Sequence, residues 1–166
     1  LYLHILLLVF WVGTDLGVFL AAKYSERSEM SIESRQVVLT LGMMLDRLPR
    51  SALVLIVPSG VMLTQAYGLT QLPPSLVSVI WAFAACWLAL LWAGFLSESA
   101  KIQSLSATIN WWLNLVLAVV LLSVVVYSYA QQLLPGWILT KILLVALICL
   151  AGFLLDFLFG PAMGIF

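Results

Sequence analysis

Charge is what this sequence has least of. Seven Lys and Arg and seven Asp and Glu amount to 8% of its 166 residues, and the formal net charge is zero. A soluble domain carries about a quarter charged residues, because its surface must be wetted. So little charge excludes a soluble fold of this size, which cannot hide the remaining apolar surface from water. The balanced charge leaves no basic patch for nucleic acid and no acidic tail. Histidine occurs once and cysteine twice. Cys86 and Cys149 lie inside apolar runs and form neither a CxxC pair nor a zinc spacing, so both read as buried structural thiols. No nucleotide-binding loop, HExxH motif or nucleophile elbow is present. Internal repeats and low-complexity tracts are missing too.

What the chain has instead is 64% apolar residues in long runs. A transmembrane helix needs about 20 mainly apolar residues. Five stretches meet that length: 1–22, 50–67, 75–97, 109–131 and 136–159. The runs are continuous rather than alternating, which excludes the strands of a membrane barrel. Residues 1–22 exceed the apolar core of a signal peptide and carry His4 and Asp15, so they read as a retained helix. The links are short, and Pro135-Gly136 is placed to open the last helix. The fold expected is all-α, one polytopic transmembrane helical domain over 1–166, in contact with the lipid bilayer.

The stretch 31–49 differs. Ser31 suits an N-cap, and Glu33 lies in the first turn, where the helix dipole favours an acid. Val37, Val38, Leu41, Met44, Leu45 and Leu48 recur at helical spacing, while Arg35, Gln36 and Asp46 fall elsewhere on the wheel. This predicts an interfacial amphipathic helix, with Pro49 marking the bend into the second span and Pro58 a kink within it. Lys23, Arg27, Arg35, Arg47 and Arg50 lie in or near the first link and Lys101 in the third. The second and fourth links carry no charge. The positive-inside rule then puts the N-terminus outside. Trp81, Trp111, Trp112 and Trp137 fall near span ends, where an aromatic belt is expected.

Few residues are left for chemistry. His4 lies near the outer end of the first span. Two readings stand: a neutral interfacial histidine with a water or backbone partner, or an axial ligand to haem iron through a neutral ring nitrogen. One histidine cannot supply two imidazoles, which excludes a bis-histidine cytochrome b built from this chain alone. Lys141 opens the fifth span in the same leaflet as His4. It reads either as a snorkelling lysine or as a bundle-facing partner for a carboxylate or propionate. Asp15, Asp46, Arg47, Arg50 and Asp156 project to the opposite half. Asp46 and Arg50 are spaced i, i+4 for an ion pair, and Asp15 and Asp156 call for neutralisation by Arg47 or Arg50. A proton or substrate path is the rival reading of these five residues. Met30, Met43, Met44, Met62 and Met163 show no soft-metal spacing and read as packing residues.

Leu3-His4, Trp11-Val12-Gly13 and Gly17-Val18-Phe19 together resemble the first helix of the superfamily that joins CopD-type copper-resistance proteins, HemJ-type protoporphyrinogen oxidases and DUF2269-like proteins. Pro58-Ser59-Gly60 resembles the end of that group's second helix. Gly136-Trp137 through Lys141 is similar to the GWxxxK helix start of the HemJ type. The resemblance implies haem b as cofactor, with His4, Lys141 and Trp11 at its site and His4 on the iron. It also implies a bacterial inner-membrane location. In the HemJ type the lysine opens the third helix, whereas Lys141 opens the fifth span, and Ala21-Ala22-Lys23-Tyr24 lacks that type's basic motif. The oxidase reaction is therefore not carried over. The function expected is a haem-associated redox or carrier module. The alternative is an accessory or scaffold subunit of a larger membrane complex, with other membrane subunits or further copies of the chain as partners. A small-solute or metal-ion permease, the third reading, lacks sufficient polar lining.

Overall fold

The computed structural model describes residues 1–159, apart from the side chains of Leu155, Asp156, Leu158 and Phe159. The order of elements is α1 (Tyr2–Ser25), α2 (Ile32–Leu45), α3 (Arg47–Ala66), α4 (Pro74–Leu96), α5 (Ala100–Ala130) and α6 (Gly136–Phe159). Five helices are long and apolar enough to cross a membrane, with α2 and α3 together making one 35-residue arm, Ile32–Ala66. The chain is an all-α integral membrane protein. Two compact units divide it, Leu1–Leu88 and Ala89–Phe166.

The first unit is built on an antiparallel hairpin of α1 against α2 and α3. Ser31 caps α2 by accepting the Ser34 amide at 3.2 Å. The α2–α3 joint falls at Asp46, not at Pro49 as the sequence suggests. Pro49 sits in the first turn of α3, where a missing N–H costs nothing, while its ring and absent donor break the bond to the carbonyl one turn back at Leu45. Pro58 lies inside α3 and is fully buried.

The register of this hairpin is uniform. A Cβ on Gly60 would lie 3.3 Å from His4 Cε1, one on Gly17 would lie 3.6 Å from Leu45, and one on Gly42 would lie 2.9 Å from the Ala21 methyl. At the far end Arg35 Nε donates to the Ser25 carbonyl at 2.5 Å. Residue numbers of facing pairs add to about 60–64 throughout, so α2 continues the path of α3 along α1. At 1.5 Å per residue the 35-residue arm is about 52 Å long, against about 30 Å of bilayer hydrocarbon. Part of it must project beyond the hydrocarbon. Val37, Leu41 and Met44 of α2 are exposed, on a groove shared with Glu33, Gln36 and Thr40.

The second unit is built on the α5–α6 hairpin. α5 begins nine residues before the predicted span, because Ala100–Thr108 is a polar but helix-competent lead-in. Trp111 stacks on Phe153 with ring centroids 4.7 Å apart and donates its indole N–H to the Phe153 carbonyl at 3.0 Å. That contact ties α5 to α6, while Trp112 and Trp137 are exposed. Ala146 and Cys149 are fully buried on α6. Cys86 on α4 is exposed, which corrects the buried-thiol expectation, since an apolar run is equally well covered by lipid.

Helices α3 and α5 both end in a Schellman arrangement. Gly68 (φ 68°) lets the Leu69 amide reach the Thr64 carbonyl at 2.8 Å. Gln132 (φ 52°) does the same for Leu133 and Ser128 at 3.0 Å, though with a side chain in the left-handed region. Hydroxyls on lipid-length helices are satisfied internally: Thr14, Ser123 and Thr140 donate to carbonyls one turn back.

Candidate functional site: the His4–Ser59 contact

His4 occupies the first turn of α1, and Leu7 and Trp11 follow on the same face at helical spacing. That face packs on α3. Leu7, Trp11, Ala52 and Ile56 form a buried cluster, with Leu53, Leu55 and Val57 against it. Trp11 is thus a packing residue of the α1–α3 core, buried to 8% exposure. Its burial sets the rotation of α1 and so turns His4 toward the last turns of α3.

The His4 ring is half-buried there. Its Nδ1 lies 2.8 Å from Ser59 Oγ, and Ser59 Oγ lies 2.9 Å from the Ile56 carbonyl oxygen, its acceptor. Ser59 itself is 6% exposed, so its hydroxyl is shielded from water. Gly60 provides the room: any side chain there would press on the imidazole edge. A serine hydroxyl has one proton. Spent on the Ile56 carbonyl, it leaves Oγ as acceptor, and His4 Nδ1–H as donor. That arrangement satisfies both contacts of Ser59 Oγ, where the reverse satisfies one.

The charged residues of the opposite half gather around the α2–α3 joint. Arg50 Nε meets Asp46 Oδ2 at 2.5 Å, one turn apart across the joint. Asp15 of α1 is within electrostatic reach of both Asp46 and Arg50. Arg47 is half-buried beside them in sequence. The side chain of Asp156 lies outside the described residues, as does Met163. Lys141, in the second unit, is exposed, with its ammonium 4.9 Å from the Trp137 ring centroid one turn back. This is the snorkelling geometry, apolar stem on the helix and cation over an aromatic face.

Ser59 and Gly60 were visible in the sequence only as part of a short motif. A serine flanked by Pro and Gly in an apolar span was the available signal, because intramembrane hydroxyls bind partners. Asn110 and Asn114 on α5 escaped notice, although amides spaced i, i+4 in a span are an equally strong signal. Both are over nine-tenths buried, and Asn114 Nδ2 donates to the Asn110 carbonyl at 3.0 Å. On the same face one turn earlier, Ser106 Oγ donates to the Leu90 carbonyl of α4 at 2.8 Å.

Among the described residues no three His, Cys, Asp or Glu side chains come together as a metal cluster. A porphyrin brings four nitrogens of its own and asks the protein for one or two axial ligands, so the lack of such a cluster does not bear on haem. Comparison of the chain with family models, with curated proteins and with solved structures gives no match.

Proposed function

We propose that this protein is a haem-associated membrane module, redox or carrier in type, related to the CopD and HemJ superfamily, with His4 as axial ligand to a b-type haem. The observation that carries the reading is the His4–Ser59 hydrogen bond. Histidines that bind metal through one ring nitrogen commonly donate the other N–H to a fixed oxygen, which sets tautomer and ring orientation. His4 is held in that manner, against α3 and away from the exposed flank of α1. Lys141 belongs to this reading as a residue near the outer membrane surface, contacting solvent rather than iron. The test is a visible spectrum of the protein after mild detergent extraction. A b-type Soret band is expected, and preparations free of haem would contradict the proposal.

The same reading places the protein in a bacterial inner membrane with its N-terminus outside and residues 23–49 and 98–106 in the cytoplasm, as the distribution of Lys and Arg favours. Cysteines introduced at Ser28 and Ser104 are expected to resist an impermeant reagent added to intact cells. Labelling of both would reverse the orientation.

A second reading, an accessory subunit of a larger membrane complex, is favoured by α1. That helix buries only Leu7 and Trp11, and it leaves Gly13 and the Asp15 side chain exposed on a membrane-length element. Intramembrane carboxylates generally face protein or water rather than lipid. Co-purification of a second membrane protein without haem would select it.

A further inference from the structure

We infer that Ser59 is a positioning residue that determines which nitrogen of His4 carries the proton. The geometry is a directed chain: His4 Nδ1 to Ser59 Oγ at 2.8 Å, then Ser59 Oγ to the Ile56 carbonyl at 2.9 Å. A carbonyl accepts only, so the chain has one polarity. The hydroxyl proton points to Ile56, and the Nδ1 proton points to the hydroxyl. Ser59 is buried, so no bulk water competes to reverse it. Pro58 and Gly60 flank the serine, and the glycine lets the helix backbone come up to the ring edge. The consequence is an imidazole whose basic lone pair stays on Nε2 without any ligand being present. The significance of this for iron rests on the haem reading above; the tautomer itself does not.

The chain contains a single histidine, so its ring nitrogens are spectroscopically unambiguous. The experiment is nitrogen NMR of the full chain in lipid nanodiscs with ring-labelled histidine, paired with hemin titration. In the wild type without hemin, a protonated Nδ1 and an unprotonated Nε2 are expected. Ser59→Ala removes one oxygen and should release the preference, giving mixed or Nε2–H signals, while Ser59→Thr keeps the hydroxyl and should retain Nδ1–H. Loss of such an outer partner commonly weakens metal binding about 10- to 100-fold, and a drop in hemin affinity of that order is expected for Ser59→Ala but not for Ser59→Thr. An Nε2–H ring in the wild type overturns the inference by itself, even if the alanine variant does not fold. So does an unchanged Nδ1–H ring in Ser59→Ala. A tautomer change with no hemin binding by any variant would uphold the role of Ser59 and remove the haem reading alone.

Discussion

In the hairpin of α1 with α2 and α3, the helices are joined by polar contacts spread along their length. His4 meets Ser59 at one end, the Arg35 guanidinium reaches the Ser25 carbonyl at the other, and Asp15 lies near Asp46 and Arg50 between them. In the hairpin of α5 with α6, the tie is concentrated at Trp111, which stacks on Phe153 and donates to its carbonyl, with Ala146 and Cys149 fully buried. Lipid is as apolar as leucine, so helices in a membrane are held by close packing and hydrogen bonds rather than by hydrophobic expulsion. Both hairpins use both, but the first spreads its polar contacts along the whole helix pair and includes two prolines and a broken helix. Irregular backbone and polar side chains in a membrane are kept where they do something beyond packing. The proposed site lies in the first unit, where the chain's single histidine meets a buried serine.

The largest mutational effects should come from the closest helix approaches, one in each unit. A Cβ on Gly42 would lie 2.9 Å from the Ala21 methyl, and one on Gly94 would lie 2.7 Å from Ser106 Cβ. Gly42→Val and Gly94→Val should each destabilise by about 1–3 kcal/mol through overpacking. Hydrogen exchange sharpens the comparison: Gly42→Val should raise exchange in α1 to α3, and Gly94→Val in α5 and α6. Equal loosening of both units by either substitution would dissolve the distinction. Gly13 is the control, since a Cβ there meets nothing within 4 Å, and Gly13→Ala should leave both units at least as stable.

How far these features could be read in advance depends on how local they are. The five membrane-length runs and the Ser31 cap were legible, because apolar length and a capping residue are properties of neighbouring residues. The joint at Asp46 was displaced by a few residues, since a proline perturbs the turn before it rather than its own position. The start of α5 was missed because Ala100–Thr108 is helical without being apolar. His4 stood out by rarity alone, and its partner did not, because Ser59 is 55 residues away and the contact exists only once α1 and α3 are in register. Trp11 was legible as a neighbour of His4 but not as the packing residue that orients it. Asn110 and Asn114 carry no charge, so charge patterning along the chain does not single them out.

A smaller effect separates the two residues of the joint. Asp46 and Arg50 are partly exposed, so the pair itself contributes less than about 1 kcal/mol. Arg50→Gln should nevertheless destabilise more than Asp46→Asn. It leaves Asp15 and Asp46 as neighbouring carboxylates without the cation that lies within reach of both, whereas Asp46→Asn removes a repulsion along with an attraction. Thermal unfolding in one detergent, with both variants side by side, checks the order. The reverse order would mean that Asp15 takes its compensation elsewhere.

The smallest effect is a gain, in the second unit. Gln132 adopts φ 52° at the end of α5, a conformation that costs a side chain about 1 kcal/mol and glycine almost none. Gln132→Gly should raise stability by up to about 1 kcal/mol, less the entropy of a more flexible unfolded chain. The melting temperature would report it, and a fall would show that the side chain makes a compensating contact.

The most direct test of the whole account sets the two units against each other at their candidate ligand residues. His4 of the first is fixed by Ser59 and Gly60, while Lys141 of the second lies exposed over Trp137. The measurement is the Soret absorbance of purified His4→Ala and Lys141→Ala beside the wild type, at equal protein concentration. The account predicts a band that is lost or strongly shifted in His4→Ala and nearly unchanged in Lys141→Ala. A band that survives His4→Ala, or that depends on Lys141 instead, would contradict it.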